Sequence, residues 1–348
     1  MRQRAQTVGV LGASPRQLVC LGLILLCGRT PDAPRATLTV EERWATRGSA
    51  AIGEFVGIGG MAEATDGRIW VSDSRPGRIV ALDSSGRGLG VLAASGDGPG
   101  ELRGPARITR TPTGEMAVHD VGRRAIEVFD RSGRYRRRIA LRYTIENPKG
   151  FAALPAGGFI ISGGIAGQAS AIHRFSSDGN LEASWHPIPV TRNPRAGRMV
   201  AGGPIAVRRD GLVLFSQAAP HRILLFSPGD TMPHQVAADP TLLPAVGDDF
   251  IVERMEDGAW VRSFRWLFPQ SRAVFWRDDQ TILNVVLFAE QGRTIWQLYD
   301  QRGRLLAAHE TARSYFVWAL ADNGDVLASY VDLATGQFSA VRLAVRNH

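Results

Sequence analysis

Two residue types are scarce in this chain of 348 residues, which has two cysteines and a single lysine beside 40 arginines. Cys20 and Cys27 alone cannot form a disulfide framework or a structural zinc site of four thiolates. The uniform preference for arginine is typical of genomic base composition, so the net charge of +8 says little about partners. No apolar run reaches the roughly 18 residues of a membrane-spanning helix. Helical periodicity is nearly absent as well.

The N-terminal segment has the pattern of a secretory signal. Residues 1–28 hold three arginines and no acidic residue, and they end in an apolar run. We therefore predict a signal peptide over 1–28, export, and a proline-rich tether over 29–35. A buried N-terminal strand or a mis-assigned start codon would be the alternatives. If the signal is of the lipoprotein kind, Cys27 carries the lipid anchor, although Leu26 is larger than such signals prefer at that position.

The body of the chain consists of repeats. The segment Ile79–Gly86 (IVALDSSG) recurs 47 residues later as Ile126–Gly133 (IEVFDRSG). Looser copies of this frame, and a turn such as Asp66-Gly67 ahead of the second strand of each unit, define six units. Four short strands in about 40–50 residues, repeated six times, predict an all-β fold. We expect a six-bladed β-propeller of four-stranded blades over 36–348.

Two segments depart from the repeat. The last unit has only three strands, and the alternating segment Thr37–Trp44 is predicted to supply the missing outer strand and close the ring. An insertion at about 237–268 separates the fourth and fifth units. Its acidic part, Asp248–Asp257, predicts one or two helical turns. The aromatic residues after it either form a lid over a ligand or cover a blade interface; they are Trp260, Phe264 and Trp266.

One connector resembles that of a known family. The segment Ser95–Ile108 (SGDGPGELRGPARI) and the strands around Val71–Asp73 and Arg78–Leu82 are similar to NHL-type propellers, and especially to bacterial exported six-bladed propellers. The connector's glycines suit a tight crossing between blades. We expect Glu101 to accept hydrogen bonds from backbone amides of the turn and Leu102 to pack between blades.

Propellers usually bind ligands at the central channel, which the first strand of each unit lines. The candidate ligand-binding residues on these strands are Glu63, Arg107, Lys149 and Arg272. Gluconolactonase-like propellers hold a divalent cation there with several carboxylates and amides. A single carboxylate among three cations is a poor cation site, so we predict no metal, no cofactor, and an anionic or polar ligand. The pair His119-Asp120 is expected to cap a turn.

Arginines also cluster on an outer strand, where they either protect a solvated edge or contact an anionic lipid or polysaccharide surface. The candidates are Arg134, Arg136 and Arg138. We expect no nucleic-acid partner, a monomer, and a membrane association only through the signal or lipid anchor. The leading hypothesis is an exported binding module for a peptide, protein or glycan at the channel mouth, without catalytic residues. The alternative is a gluconolactonase-like hydrolase or lyase with its active site in the channel.

Overall fold

The computed structural model describes residues 37–190, 194–218, 221–238, 251–256, 259–264 and 270–348. The predicted signal peptide at 1–28, with Cys27, and the tether at 29–35 lie outside the described residues. No helix in the described part of the chain has the length and apolarity to cross a membrane.

Antiparallel strands make up nearly all of this structure. The chain begins with β1 (Leu38–Thr46) and a small hairpin of β2 (Gly48–Ser49) and β3 (Gly53–Glu54). Six four-stranded sheets, the blades, then follow in a ring. From the inner to the outer strand, blade 1 consists of β4 (Ile58–Glu63), β5 (Ile69–Asp73), β6 (Arg78–Leu82) and β7 (Gly88–Ala93). Blade 2 consists of β8 (Pro105–Arg110), β9 (Met116–Asp120), β10 (Ala125–Phe129) and β11 (Tyr135–Ala140). Blade 3 consists of β12 (Ile145–Ala153), β13 (Phe159–Ile165), β14 (Ser170–Phe175) and β15 (Leu181–Pro187).

The second half of the ring follows the same plan. Helix α1 (Pro194–Ala201) precedes blade 4, and a 3₁₀ turn (Ala289–Gln291) joins two strands of blade 5. Blade 4 consists of β16 (Ile205–Val207), β17 (Val213–Gln217), β18 (Arg222–Phe226) and β19 (His234–Ala238), and a separate hairpin of β20 (Ile251–Glu256) and β21 (Ala259–Phe264) follows it in the chain. Blade 5 consists of β22 (Gln270–Trp276), β23 (Thr281–Phe288), β24 (Arg293–Asp300) and β25 (Leu305–Thr311). Blade 6 contains β26 (Phe316–Leu320), β27 (Val326–Val331) and β28 (Phe338–Asn347). The predicted six-bladed β-propeller is confirmed.

The ring is closed by both ends of the described chain. Strand β1 pairs antiparallel with β28, with Leu38 opposite Asn347 and Thr46 opposite Ala340, so it forms the outer strand of blade 6. The backbones of Thr37 and His348 exchange hydrogen bonds of 3.1 and 3.0 Å. This confirms the predicted closure, which removes a free sheet edge from blade 6.

Hairpin turns between the first and second strands explain many of the glycines. Gly67 and Gly114 have φ angles of +80° and +82°, in the left-handed region that glycine adopts without steric cost. The backbone amide of each glycine closes its turn on the carbonyl of Ala64 or Thr111. The Asp-Gly and Thr-Gly markers of the repeat therefore correspond to real turns.

The insertion differs from the prediction. Helical turns were expected over Asp248–Asp257, but residues 251–256 form the strand β20, which pairs with β21 so that Ile251 faces Phe264. The helix prediction is wrong because the apolar and charged residues over six positions fit the 3.6-residue period of a helix as well as the two-residue period of a strand. Trp260 and Phe264 lie on β21, and Trp266 lies outside the described residues.

Candidate functional site

The cationic candidates lie on inner strands that are irregular near their N-terminal ends. The pairing of β8 with β9 shifts register between Pro105 and Arg107, and that of β22 with β23 shifts between Ser271 and Ala273, leaving Arg272 as the extra residue. The pairing of β12 with β13 is interrupted between Glu146 and Gly150, which includes Lys149. Bulges of this kind redirect side chains and are frequent next to binding sites.

The inner strands approach one another closely around the channel. A Cβ atom on Gly60 would lie 2.9 Å from the carbonyl oxygen of Ala106, and one on Gly150 would lie 2.7 Å from that of Gly203. Only glycine avoids both clashes. The channel is therefore narrow at this level, and the long side chains of neighbouring strands are directed into a small space.

Three of the four predicted ligand-binding residues line one cavity. Arg107, Lys149 and Arg272 surround a space of about 40 Å³ whose other walls include Phe151 and Trp318. Lys149 is 8% exposed, while Arg107 and Arg272 are partly buried. A space of this size holds roughly three water-sized groups, which is about the size of a carboxylate.

The electrostatics of this cavity are strongly positive. Burial lowers the pKa of Arg107 to about 10, and burial together with the charge of Arg107 lowers the pKa of Arg272 to about 9. Burial, then Arg272 and Arg107, lower the pKa of Lys149 to about 7. Within the described residues, no carboxylate lies within 4.0 Å of either guanidinium. An anion would relieve the repulsion that the three groups impose on one another.

Aromatic rings hold both guanidinium groups in place. The guanidinium carbon of Arg107 lies 4.8 Å from the ring centre of Trp318, and that of Arg272 lies 4.7 Å from the ring centre of Phe316. Arg107 Nε also donates to the carbonyl oxygen of Pro148 at 3.2 Å. In contrast, the buried Nε of Arg272 has no hydrogen-bond acceptor among the described residues. A ligand with an acceptor atom in the cavity would satisfy this donor.

Glu63 lies apart from the three cations, in a wider mouth of the channel. This mouth has a volume of about 310 Å³ and shares Trp318 and Phe275 with the cationic cavity. Glu63 accepts hydrogen bonds from the backbone amide of Asp322 at 2.6 Å and from Arg342 at 3.3 Å. Its carboxylate therefore already has partners within the protein, although Arg342 also pairs with Asp325 at 3.0 Å.

His119 and the aromatic partners were not predicted as parts of this site. His119 pairs with Arg107 across the β8–β9 ladder, and its ring centre lies 5.8 Å from that of Phe151. Burial, together with the charge of Arg107, lowers its pKa to about 4, so it adds no charge at neutral pH. Aromatic residues on the inner strands were the available sequence signal, but their contacts with the arginines depend on neighbouring blades.

The aspartates of the repeat cap turns, as predicted. Asp120 accepts hydrogen bonds from the amides of Arg103 and Gly104 at 2.8 and 2.9 Å. Asp73 does the same for Val56 and Gly57 at 3.1 and 2.7 Å. Both carboxylates thus hold the loop that leads into their own blade.

The arginines of the outer strand β11 differ in their contacts. Arg138 donates to the fully buried carboxylate of Glu127 at 2.6 Å. Arg134 and Arg136 form no ion pair with any described residue. Arg138, one of the three arginines predicted to contact an anionic surface, therefore already has a partner within the protein.

The connector and strand motifs match the expected geometry. Glu101 Oε2 accepts from the amide of Gly98 at 2.7 Å, and Leu102 is fully buried between blades 1 and 2. In the strand motif, Arg78 forms an ion pair of 2.8 Å with Asp73 and donates to the carbonyl oxygen of Ile52 at 2.6 Å.

Comparisons with known proteins agree with this motif. No family model matches the chain. Over 163 residues it is 28% identical to the human E3 ubiquitin-protein ligase NHLRC1, and the match covers 46% of this chain and 40% of that protein. The chain therefore matches well under two thirds of this curated relative. The chain is a six-bladed β-propeller, and this similarity supports the NHL type.

Solved structures share the fold of this propeller. A protein from Bacteroides fragilis described as exported aligns with a TM-score of 0.55 at 9% identity, covering 90% of this chain and 96% of that chain. Virginiamycin B lyase from Staphylococcus aureus aligns with a TM-score of 0.52 at 11% identity, covering 87% and 99%. At these identities the likeness concerns the fold alone.

Proposed function

We propose that this protein is an exported binding module that takes an anionic group of a peptide, protein or glycan into the channel of the propeller. The observation that carries the proposal is the convergence of Arg107, Lys149 and Arg272 on one small cavity. The export part of the proposal is supported by the basic and apolar pattern of residues 1–28 and by the neighbour described as exported.

The shape of the channel indicates how such a ligand would lie. The cationic cavity of about 40 Å³ accommodates a carboxylate, whereas the adjoining mouth of about 310 Å³ accommodates the body of the ligand. Trp276 and Trp318 supply flat apolar surface in that mouth. Arginine can bind a carboxylate with two parallel hydrogen bonds, and the ring over each guanidinium limits its movement.

A gluconolactonase-like hydrolase or lyase has less support from the side chains. Among the described residues, no group of three histidine, cysteine, aspartate or glutamate side chains could hold a metal ion. The mouth has one carboxylate on an inner strand, Glu63, and that group is bonded to Arg342 and Asp322.

Calorimetric titration with a matched pair of small probes tests the binding function. N-acetylphenylalanine carries a carboxylate and an aromatic body, and its amide lacks the charge. We expect the acid to bind and the amide to bind about 10- to 100-fold more weakly, the range for hydrogen bonds to a charged group. The variant Arg272→Met should lower the affinity for the acid by a similar factor.

The exposed residue Arg302 provides a control of equal charge change. Arg302→Met should leave the affinity for N-acetylphenylalanine unchanged. Equal binding of the acid and the amide, or an equal loss in both variants, would contradict a carboxylate site in the channel.

A further inference from the structure

The position of the single lysine is the first observation. Of the 41 basic residues, 40 are arginine and one is Lys149, and that one lies in the channel cavity with Arg107 and Arg272. At neutral pH the guanidinium groups keep their protons, whereas an ammonium whose pKa is lowered can lose its proton and become a nucleophile. The channel therefore contains the only side chain of this protein with a primary amine.

The surroundings of Lys149 favour the uncharged amine. Arg107 faces it from β8 and Arg272 from β22, and burial adds to their effect, so the pKa of Lys149 falls to about 7. His119, on β9 beside Arg107, is neutral at that pH because its pKa is lowered to about 4. On the strand of Lys149 itself, Glu146 is held by Arg198 of α1 at 3.2 Å.

Desolvated lysines beside other cations are a recognised form of activated nucleophile. With a pKa of about 7, a substantial fraction of the Lys149 side chains carries no proton at neutral pH, whereas an ordinary lysine is uncharged in fewer than about one molecule in a thousand. The two guanidinium groups next to this amine fit a carboxylate. A ligand that satisfies both features has a ketone adjacent to its carboxylate.

We infer that Lys149 condenses with the ketone of a 2-oxo carboxylic acid whose carboxylate is bound by Arg107 and Arg272. This inference rests on the proposed function, because it needs the anion site. The amine nitrogen adds to the carbonyl carbon, and the resulting carbinolamine eliminates water. The two hydrogens of the amine and the former carbonyl oxygen leave as that water, and a carbon–nitrogen double bond remains. No oxidant or reductant is consumed.

The size of the channel agrees with this ligand class. The carboxylate fits the cavity of about 40 Å³, whereas the adjacent ketone lies at its opening and the remainder of the molecule extends into the mouth. The walls around the amine include Phe151, Pro204 and Val317, whose apolar surfaces limit access of water to the condensation product.

Reductive trapping with pyruvate tests the inference directly. The full chain is incubated with pyruvate and sodium cyanoborohydride at pH 7, which converts the double bond to a stable secondary amine, and the modified peptide is identified by mass spectrometry. We expect one adduct per chain at Lys149. The N-terminal amine, the other amine of the chain, lies in a different peptide and serves as an internal reference.

Three comparisons make the result specific. Lys149→Arg should abolish the internal adduct, Arg272→Met should slow its formation about tenfold or more, and Arg302→Met should have no effect. The adduct at Lys149 should form faster as pH rises from 6 to 8. In guanidinium-denatured protein at pH 7, where the lysine regains its ordinary pKa, the rate should fall by a factor of about a thousand.

Titration with acetate, which has a carboxylate but no ketone, separates this inference from the proposed function. If acetate binds but pyruvate modifies only the N-terminal amine, the amine chemistry is wrong and the anion site stands. If acetate does not bind and Lys149 is not modified, both are wrong. Equal labelling of folded and denatured protein would also overturn the inference, because Lys149 would then be an ordinary amine.

Discussion

At the scale of single residues, burial keeps the imidazoles of His119 and His173 uncharged at neutral pH. His119 and His173 are 2% and 0% exposed. The Nε2 of His173 donates to the carbonyl oxygen of Gly163 at 3.1 Å, so its Nδ1 accepts from the hydroxyl of Ser184 at 2.9 Å. Burial lowers the pKa of both imidazoles to about 4, and Arg107 adds to the effect at His119.

These shifts predict the direction of acid sensitivity. Between pH 6.5 and about 4 the unfolded chain binds more protons than the native protein, so the free energy of unfolding falls as pH decreases through this window. Each histidine contributes a few kcal/mol of this loss. Urea unfolding at pH 7 and at pH 4.5 should show a smaller difference for His119→Gln than for the wild type.

The partly exposed His309 offers a matched substitution. His309→Gln should keep the full difference between the two pH values. If His119→Gln also keeps it, the buried imidazole of His119 is not a source of the acid sensitivity.

At the scale of elements, the aspartate that ends the second strand of blades 1 and 2 connects each sheet to its neighbouring loop. Asp120 is fully buried and accepts three backbone amides, those of Arg103, Gly104 and Arg123. Asp83, in contrast, lies in a solvent-exposed turn and accepts from the amides of Ser85 and Arg87. We therefore expect Asp120 to contribute more to the free energy of unfolding than Asp83 does.

Alanine substitution should reveal this difference. Asp120→Ala leaves three partly buried amides without acceptors, which is expected to cost about 2–4 kcal/mol in the free energy of unfolding. Asp83→Ala should cost less than about 1 kcal/mol because water replaces the lost carboxylate. Denaturant titration of both variants measures the values, and similar losses would contradict the assigned role of Asp120.

Elements with a local signal could be predicted from the sequence. A turn such as Asp66-Gly67 needs a glycine with positive φ, and this requirement is visible in the sequence itself. Helix α1, Pro194–Ala201, was missed because eight residues give too few turns for a periodicity to stand out. A helix was expected in place of the strand β20 for a related reason, since this strand has only six residues.

The candidate site was predictable only in part. Assignment of the inner strands was enough to bring Arg107, Lys149 and Arg272 together. The separation of Glu63 from these three residues follows from its hydrogen bonds to Asp322 and Arg342, which are 259 and 279 positions away in the sequence. Contacts between different blades have no signature in either strand alone.

At the scale of the whole molecule, the described residues form an apolar cluster at each of the six interfaces between neighbouring blades, and these clusters stabilise the ring. Blade 6 differs from the others because its strands come from both ends of the described chain. Leu38 of β1 is 1% exposed and packs in the cluster between blades 5 and 6. Trp44, near the other end of β1, donates to the carbonyl oxygen of Ser84 in blade 1 at 2.9 Å. Strand β1 therefore connects three successive blades.

Removal of this strand should open the ring and expose a sheet edge. A chain that begins at Arg47 leaves the ten residues of β28 unpaired on one side, and such an edge promotes self-association. We expect lower stability and concentration-dependent oligomers by light scattering, whereas a chain that begins at Ala36 stays monomeric. Addition of a peptide spanning Thr37–Thr46 should restore the monomer.

Where the shorter chain does not fold, Leu38→Ala tests the same packing, with an expected loss of about 2–5 kcal/mol in the free energy of unfolding. A monomeric, fully stable chain from Arg47 would show that the fold does not need this closure.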